Sequence, residues 1–294
     1  MKGRPKQGKA PVLILDGGPG VVGEATPLAK ELSKTYSVFA PVLTSTSIEG
    51  QLEDLKLAVG GYGGLPAILI GWSWGAWLGF LFAAKYPSLV LKLILVGSGP
   101  FEQKYVRRIM TARERRLDNN EKIEMSLLLK ALGNTAHRRE DAVFLRLGEL
   151  LDRADSHTPV AAKPAKISVW PEVYQGVWPQ AEELRRSGKL LKLGKRISCP
   201  VVAIHGDYDP HPVEGVKDSL SKVIRNFGFV LLKNCGHKPW TERFAKDTFY
   251  GILNKELMLS DGEDITPRAP RAVRQRPARR TTRQSLRPAA SRSR

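Results

Sequence analysis

Short apolar runs alternate with amphipathic and charged stretches along most of the chain. Runs at residues 13–15, 67–70, 92–96, 201–204 and 227–232 have the length and composition of strands, and helix-compatible sequence lies between them. Strands that alternate with helices in this way predict an α/β fold, a mostly parallel, doubly wound sheet covered on both faces. The longest break in the alternation runs from about Pro100 to Arg196. It is rich in Arg, Lys and Glu and carries apolar residues at helical spacing, such as Ile123, Leu127, Leu128 and Ala131. The expected organisation is therefore a core at 1–99 and 197–259, an inserted helical cap at 100–196 and a separate segment at 260–294. In the cap, Trp170-Pro171 and Trp178-Pro179 are expected to mark turns, because the residue before a proline is pushed toward extended backbone.

The most informative motif is Gly71-Trp72-Ser73-Trp74-Gly75. It follows the apolar strand at 67–70 and opens a second apolar run at 76–84, so it reads as strand, tight turn, helix. A G-x-S-x-G in that context is a nucleophile elbow. Its glycines let strand and helix pass where a Cβ would collide, and its serine sits in a strained turn with the hydroxyl above the sheet. Such a serine needs a base, and the base needs an orienting carboxylate. The chain has five histidines. His237 lies in the loop after the strand at 227–232 and before a helix expected from about Thr241 to Leu257, where a base would be presented. His137 and His157 fall in polar, charged sequence, and His205 ends an apolar strand and supports the loop beyond it. His211 shares that loop with two aspartates and is the second choice for a functional histidine.

Asp207 and Asp209 compete as the acid. Asp209 is favoured, because it lies further out in the turn and Pro210 and Pro212 stiffen it. Asp207 fits better as a brace of the turn. The strand at 13–15 ends in Asp16-Gly17-Gly18-Pro19-Gly20, and the amides of Gly18 and Trp74 form the natural pair of oxyanion donors.

Together these segments resemble the α/β-hydrolase superfamily, over roughly residues 11 to 257, and the Gly-Gly-Pro-Gly loop looks like the proline iminopeptidase branch and its relatives. The resemblance implies Ser73 as nucleophile, His237 as base, Asp209 as acid, and Gly18 with Trp74 as oxyanion donors. Asp16 stands where that branch has a histidine, and a carboxylate opposes a developing oxyanion unless it is paired or turned away. Trp72 precedes the serine where small residues are common. The expected activity is hydrolysis of an ester or small amide through an acyl-enzyme. An iminopeptidase-like aminopeptidase is the alternative, with Glu102, Glu182 or Glu183 available to grip a substrate amino group.

Composition adds a second theme. The 294 residues carry a formal net charge of +18, and residues 268–294 hold ten arginines and no acidic residue. That segment lacks apolar periodicity and is expected to be disordered. Arg-rich segments bind nucleic acid or anionic membrane through counterion release, so a hydrolase fold kept for binding is the rival reading. No aromatic residue lies in the segment to stack on bases. Cys199 and Cys235 form no metal-ligand pattern and are expected to be small buried residues. No nucleotide motif is present, so no nucleotide cofactor is expected, and no His or Cys cluster points to a metal. With no signal-like or membrane-length apolar run, a cytoplasmic location is expected.

Overall fold

The computed structural model describes residues 10–61, 66–132, 140–161 and 166–258. The basic segment at 260–294 and His137 lie outside the described residues. In chain order the elements are β1 (Val12–Leu15), β2 (Val21–Val22), α1 (Thr26–Ser33), β3 (Val38–Phe39), α2 (Ile48–Gly61), β4 (Ala67–Trp72), α3 (Trp74–Lys85) and β5 (Val90–Val96). There follow α4 (Val106–Arg116), α5 (Asn119–Leu132), α6 (Glu140–Asp155), β6 (Ser168–Val169), α7 (Pro171–Arg186) and α8 (Lys189–Leu193). The chain then returns through β7 (Val201–Gly206), α9 (Lys217–Leu220), β8 (Phe227–Leu232) and α10 (Lys246–Met258).

Six strands form one sheet in the order β3-β1-β4-β5-β7-β8, and every neighbouring pair is parallel. The doubly wound α/β fold follows directly from the strand sequences. Leu13 and Leu15 of β1 face one core, with Leu69, Leu93 and Leu95 and the helices α2, α3 and α7. Val12 and Ile14 face the other, with Ile68, Ile70 and Ile94 and the helices α1 and α10. Both faces are thus covered, as an apolar parallel sheet requires. Helix α3 is buried at every position from Trp74 to Ala84, which explains a sequence that is apolar all round rather than on one stripe.

Helices α4 to α8 occupy the long interval between β5 and β7. Leu117, Met125, Leu147, Leu150 and Ala154 give α5 and α6 a small core of their own. The residues read at helical spacing, Ile123, Leu127, Leu128 and Ala131, all lie on α5. Met125 is buried and Leu128 packs beside it in the small core, while Ile123 and Leu127 are both 61% exposed. One expectation fails in this region: Pro179 does not mark a turn but sits inside α7. Its ring removes one helical N–H, and burial of Val173, Val177 and Ala181 on the main core holds the helix together across it. Pro171, by contrast, opens α7 at its first position, after an extended Trp170.

A two-residue antiparallel ribbon pairs Val21 with Val169 and Val22 with Ser168, tying the chain after the glycine loop to the inserted segment. The last helix begins at Lys246 rather than near Thr241, because Glu242 is drawn inward, fully buried, as an acceptor for three backbone amides. Among the described residues no helix is long and apolar enough to cross a membrane.

Candidate active site

Strand β4 ends at Trp72 and α3 begins at Trp74, so Ser73 is the whole turn between them. Its backbone sits at φ 53, ψ −114, one of two non-glycine residues with positive φ among those described. The turn is possible because its flanks are glycine. A Cβ on Gly71 would lie 2.1 Å from the Gly75 carbonyl oxygen, and one on Gly75 would lie 2.4 Å from the Leu15 carbonyl oxygen. Backbone strain of this kind clusters at functional sites, which makes Ser73 a candidate.

Strand β7 delivers the candidate acid. Asp209 is buried beyond its end, and its Oδ2 accepts a hydrogen bond from His237 Nδ1 at 2.8 Å. Its Oδ1 accepts two more from His211, from the ring Nδ1 at 2.7 Å and from the backbone amide at 2.9 Å. His205 Nε2 lies 3.7 Å from Oδ2 and bonds the His211 carbonyl at 2.9 Å. Three histidines therefore surround one carboxylate. Burial works against its charge, but His237, His205 and His211 outweigh that and hold Asp209 well below the usual carboxylate range. Burial also opposes a proton on His237, yet Asp209 overrides it and lifts that imidazole above its ordinary value. For His211 burial wins, and its value falls to about 4. His211 is thus a neutral donor to Asp209 near pH 7. Asp207 braces from a distance, accepting the Cys235 amide at 3.2 Å.

The His237 loop is fastened on several sides. Trp72 Nε1 donates to the His237 carbonyl at 3.0 Å, and its ring stands 5.3 Å from the His237 ring. The His237 amide donates to the Asp155 carbonyl at 2.9 Å, at the end of α6. Asp155 is itself held by Arg113 of α4 through bonds of 2.8 and 2.6 Å. Glu242 accepts the amides of Gly236, His157 and Thr158 at 3.0, 2.8 and 2.7 Å. Lys238 bridges Glu24 at 3.1 Å and Asp152 of α6 at 2.6 Å, with its ammonium 5.0 Å above the Trp72 ring. The sequence signalled Trp72 only as a bulky residue in an unusual place. Its ring presses on Gly17, where a Cβ would come within 2.1 Å of it.

The structure thus brings Asp209 and His237 into contact, with Trp72, the neighbour of Ser73, against the imidazole. Among the described residues no hydrogen bond joins the Ser73 hydroxyl to His237. Gly18 and Trp74 line one small cavity. The Trp74 amide donates to the Gly17 carbonyl at 3.1 Å, so it is engaged by the neighbouring loop. Asp16 lines the same cavity, with its carboxylate paired: its oxygens accept the amides of Gly23 at 3.0 Å and Ala25 at 2.7 Å. Burial raises its value, against those two bonds and Lys238. Both cysteines are buried and free, and burial raises both thiols, Cys199 to about 11. Neither is a ready nucleophile. Asp209, His211 and His237 bring ligand atoms within 4.8 Å of one another, but each His Nδ1 is committed to the carboxylate.

The model of the family described as alpha/beta hydrolase fold matches residues 45–242, more than half of the chain. The chain belongs to the alpha/beta hydrolase fold family. Solved structures agree on the architecture of this hydrolase-fold chain. VinJ is 17% identical, with a TM-score of 0.62 over 86% of this chain and 91% of that one. The proline iminopeptidase of Mycobacterium smegmatis is 14% identical, with a TM-score of 0.58 over 87% and 92%. A thermophilic esterase from Thermogutta terrifontis is 19% identical, with a TM-score of 0.53 over 86% and 91%. No curated protein matches the chain. The family and the fold support a hydrolase, and the alpha/beta hydrolase fold itself leaves the choice of substrate to the site.

Proposed function

We propose that this chain is a serine hydrolase that cleaves an ester through an acyl-enzyme, with Ser73 as nucleophile, His237 as base and Asp209 as acid. The observation that carries the reading is the buried Asp209–His237 pair, set against the tryptophan that precedes a strained serine at a strand–helix elbow. In the first half-reaction Ser73 Oγ attacks the substrate carbonyl carbon and its proton passes to His237 Nε2. Asp209 holds the other ring nitrogen and stabilises the imidazolium. The oxyanion takes the amides of Gly18 and Trp74, the latter exchanging the Gly17 carbonyl for the substrate oxygen; such a donor contributes about 3 kcal/mol. The leaving alcohol takes the proton from His237. Water, deprotonated by His237, then releases the acid and restores Ser73.

The aminopeptidase alternative needs an open carboxylate. Glu102 is engaged by Ser219 and Lys104, Glu182 lies 3.6 Å from Arg185, and Glu183 pairs with Arg186, which favours the ester. The helices of 100–196 serve in this reading as a cap. Trp178 stacks on Trp77 of the elbow helix at 6.2 Å and on Tyr174 at 5.9 Å, so it anchors that cap on the core. The ten arginines of 268–294 are proposed as an auxiliary arm for polyanions, dispensable for turnover.

A fluorophosphonate probe tests the reading. Labelling mapped to Ser73, turnover of p-nitrophenyl esters, and loss of both in Ser73→Ala are expected, with turnover surviving truncation at Thr266. Labelling elsewhere, or salt-sensitive DNA or lipid binding with no turnover, would replace it by the binding-protein reading.

A further inference from the structure

The Asp209 carboxylate has more partners than the proposed mechanism uses. Its side chain is fully buried, and His237 engages only Oδ2. Oδ1 is held twice by one residue, through the His211 ring Nδ1 at 2.7 Å and the His211 backbone amide at 2.9 Å. An ionised carboxylate only accepts, so both imidazoles must present an Nδ1–H to it. The two rings approach it side by side, with centroids 4.7 Å apart. Proton transfer from Ser73 to His237 has no step for the second ring.

The second ring is nevertheless firmly placed. His211 lies between Pro210 and Pro212, whose fixed φ stiffens the backbone on both sides. Its carbonyl accepts from His205 Nε2 at 2.9 Å. That bond fixes the His205 proton on Nε2, and the His205 Nδ1, fully buried, has no partner. Leaving a buried nitrogen unpaired is unfavourable, so His205 carries a polar ring into the core with a single hydrogen bond, and that bond goes to His211. The torsion that turns a carboxylate about its Cβ–Cγ bond is otherwise soft and broad. Two donors on Oδ1, from a residue that is itself braced, remove that freedom.

We propose that His211 is a positioning residue, which fixes the plane of the Asp209 carboxylate so that Oδ2 stays aimed at His237 Nδ1 through both half-reactions. The proposal rests on the serine-hydrolase reading above. Burial keeps His211 neutral. It therefore steadies Oδ1 without cancelling the negative charge that stabilises the His237 imidazolium. A carboxylate free to rotate would let the imidazole drift from the Ser73 hydroxyl, and small misplacements of a base are costly in rate.

The test measures kcat and KM for a p-nitrophenyl ester, and the rate of fluorophosphonate labelling, in the full chain. His211→Phe keeps a ring and removes its N–H. It should lower kcat by about tenfold, the order of one hydrogen bond, with KM little changed. His211→Asn places an amide nitrogen where Nδ1 stood and should recover most of the loss. In an Asp209→Asn background, where the wrong His237 tautomer limits the rate, adding His211→Phe should change labelling by less than about twofold. Should His211→Phe fail to fold, His211→Gln takes its place, since its amide nitrogen reaches the position of Nε2 and not of Nδ1. Wild-type kcat in the variant that lacks the donor, an equal loss in His211→Asn, or an equal loss with and without the Asp209 carboxylate would each overturn this inference while leaving a labelled Ser73 and the hydrolase reading intact. Absence of both labelling and ester turnover in the unchanged chain would overturn the hydrolase reading, and this inference with it.

Discussion

Gly97 offers the sharpest probe of the candidate site. It follows β5 at φ +51, a backbone conformation that costs a residue with a Cβ about 1–2 kcal/mol. A Cβ there would lie 2.8 Å from the His237 carbonyl oxygen, 3.0 Å from its Nδ1 and 3.2 Å from Asp209 Oδ2. Ordinary carbon–oxygen contacts begin near 3.3 Å, so in Gly97→Ala the carbonyl must retreat by about 0.5 Å. It cannot retreat alone, because it also accepts from Trp72 Nε1 while the amide of the same residue is tied to Asp155. The imidazole moves with its backbone. A misplacement of 1 Å costs about a hundredfold in rate, and half of that still costs about tenfold. Gly97→Ala should therefore slow fluorophosphonate labelling of Ser73 by about 10- to 100-fold and lower Tm by about 2–8 °C. Labelling kinetics and a thermal melt on the same sample measure both. A variant that labels at the wild-type rate would show that the Asp209–His237 pair does not activate Ser73.

Three further outcomes follow from the same geometry. Trp72→Phe keeps a ring beside His237 but removes the indole N–H, stranding a buried carbonyl; a loss of about 2–4 kcal/mol in denaturant titration is expected, with slower labelling. In a pH profile of kcat/KM the base must be neutral, so activity falls as pH drops through the His237 value; because Asp209 raises that value, the midpoint of the acid limb should lie above 6.5 and should move down in Asp209→Asn, whose rate falls by roughly 10⁴. Glu242→Gln places an NH₂ against amides that all need an acceptor, so calorimetry should show a loss of about 2–3 kcal/mol, or roughly 5–10 °C in Tm.

The features legible in the sequence are those with local causes. Five of the six strands of the main sheet announced themselves as apolar runs, while the two-residue β3 was too short to do so. The elbow could be read because Gly71 and Gly75 answer a steric demand within five residues. The proximity of Asp209 to His237 followed from both lying in loops after adjacent parallel strands, β7 and β8. The supporting contacts were hidden because their partners are remote. Trp72 reaches a carbonyl 165 positions away, and Glu242 gathers amides from two separate loops. Periodicity announced the helix α5 but says nothing of which side will meet α6, and Ile123 and Leu127 stand in solvent. Pro179 was read as a turn from the extended bias it puts on Trp178, and burial of the apolar stripe on α7 outweighed that local preference. The two amides that pair with the Asp16 carboxylate, of Gly23 and Ala25, are likewise not revealed by sequence spacing alone.

The His237 loop hangs from the inserted helices as much as from the sheet, through the Asp155 carbonyl and through Lys238 to Asp152, both on α6. A change that displaced the end of α6 would therefore be felt at the imidazole, although among the described residues none of that helix hydrogen-bonds the ring itself.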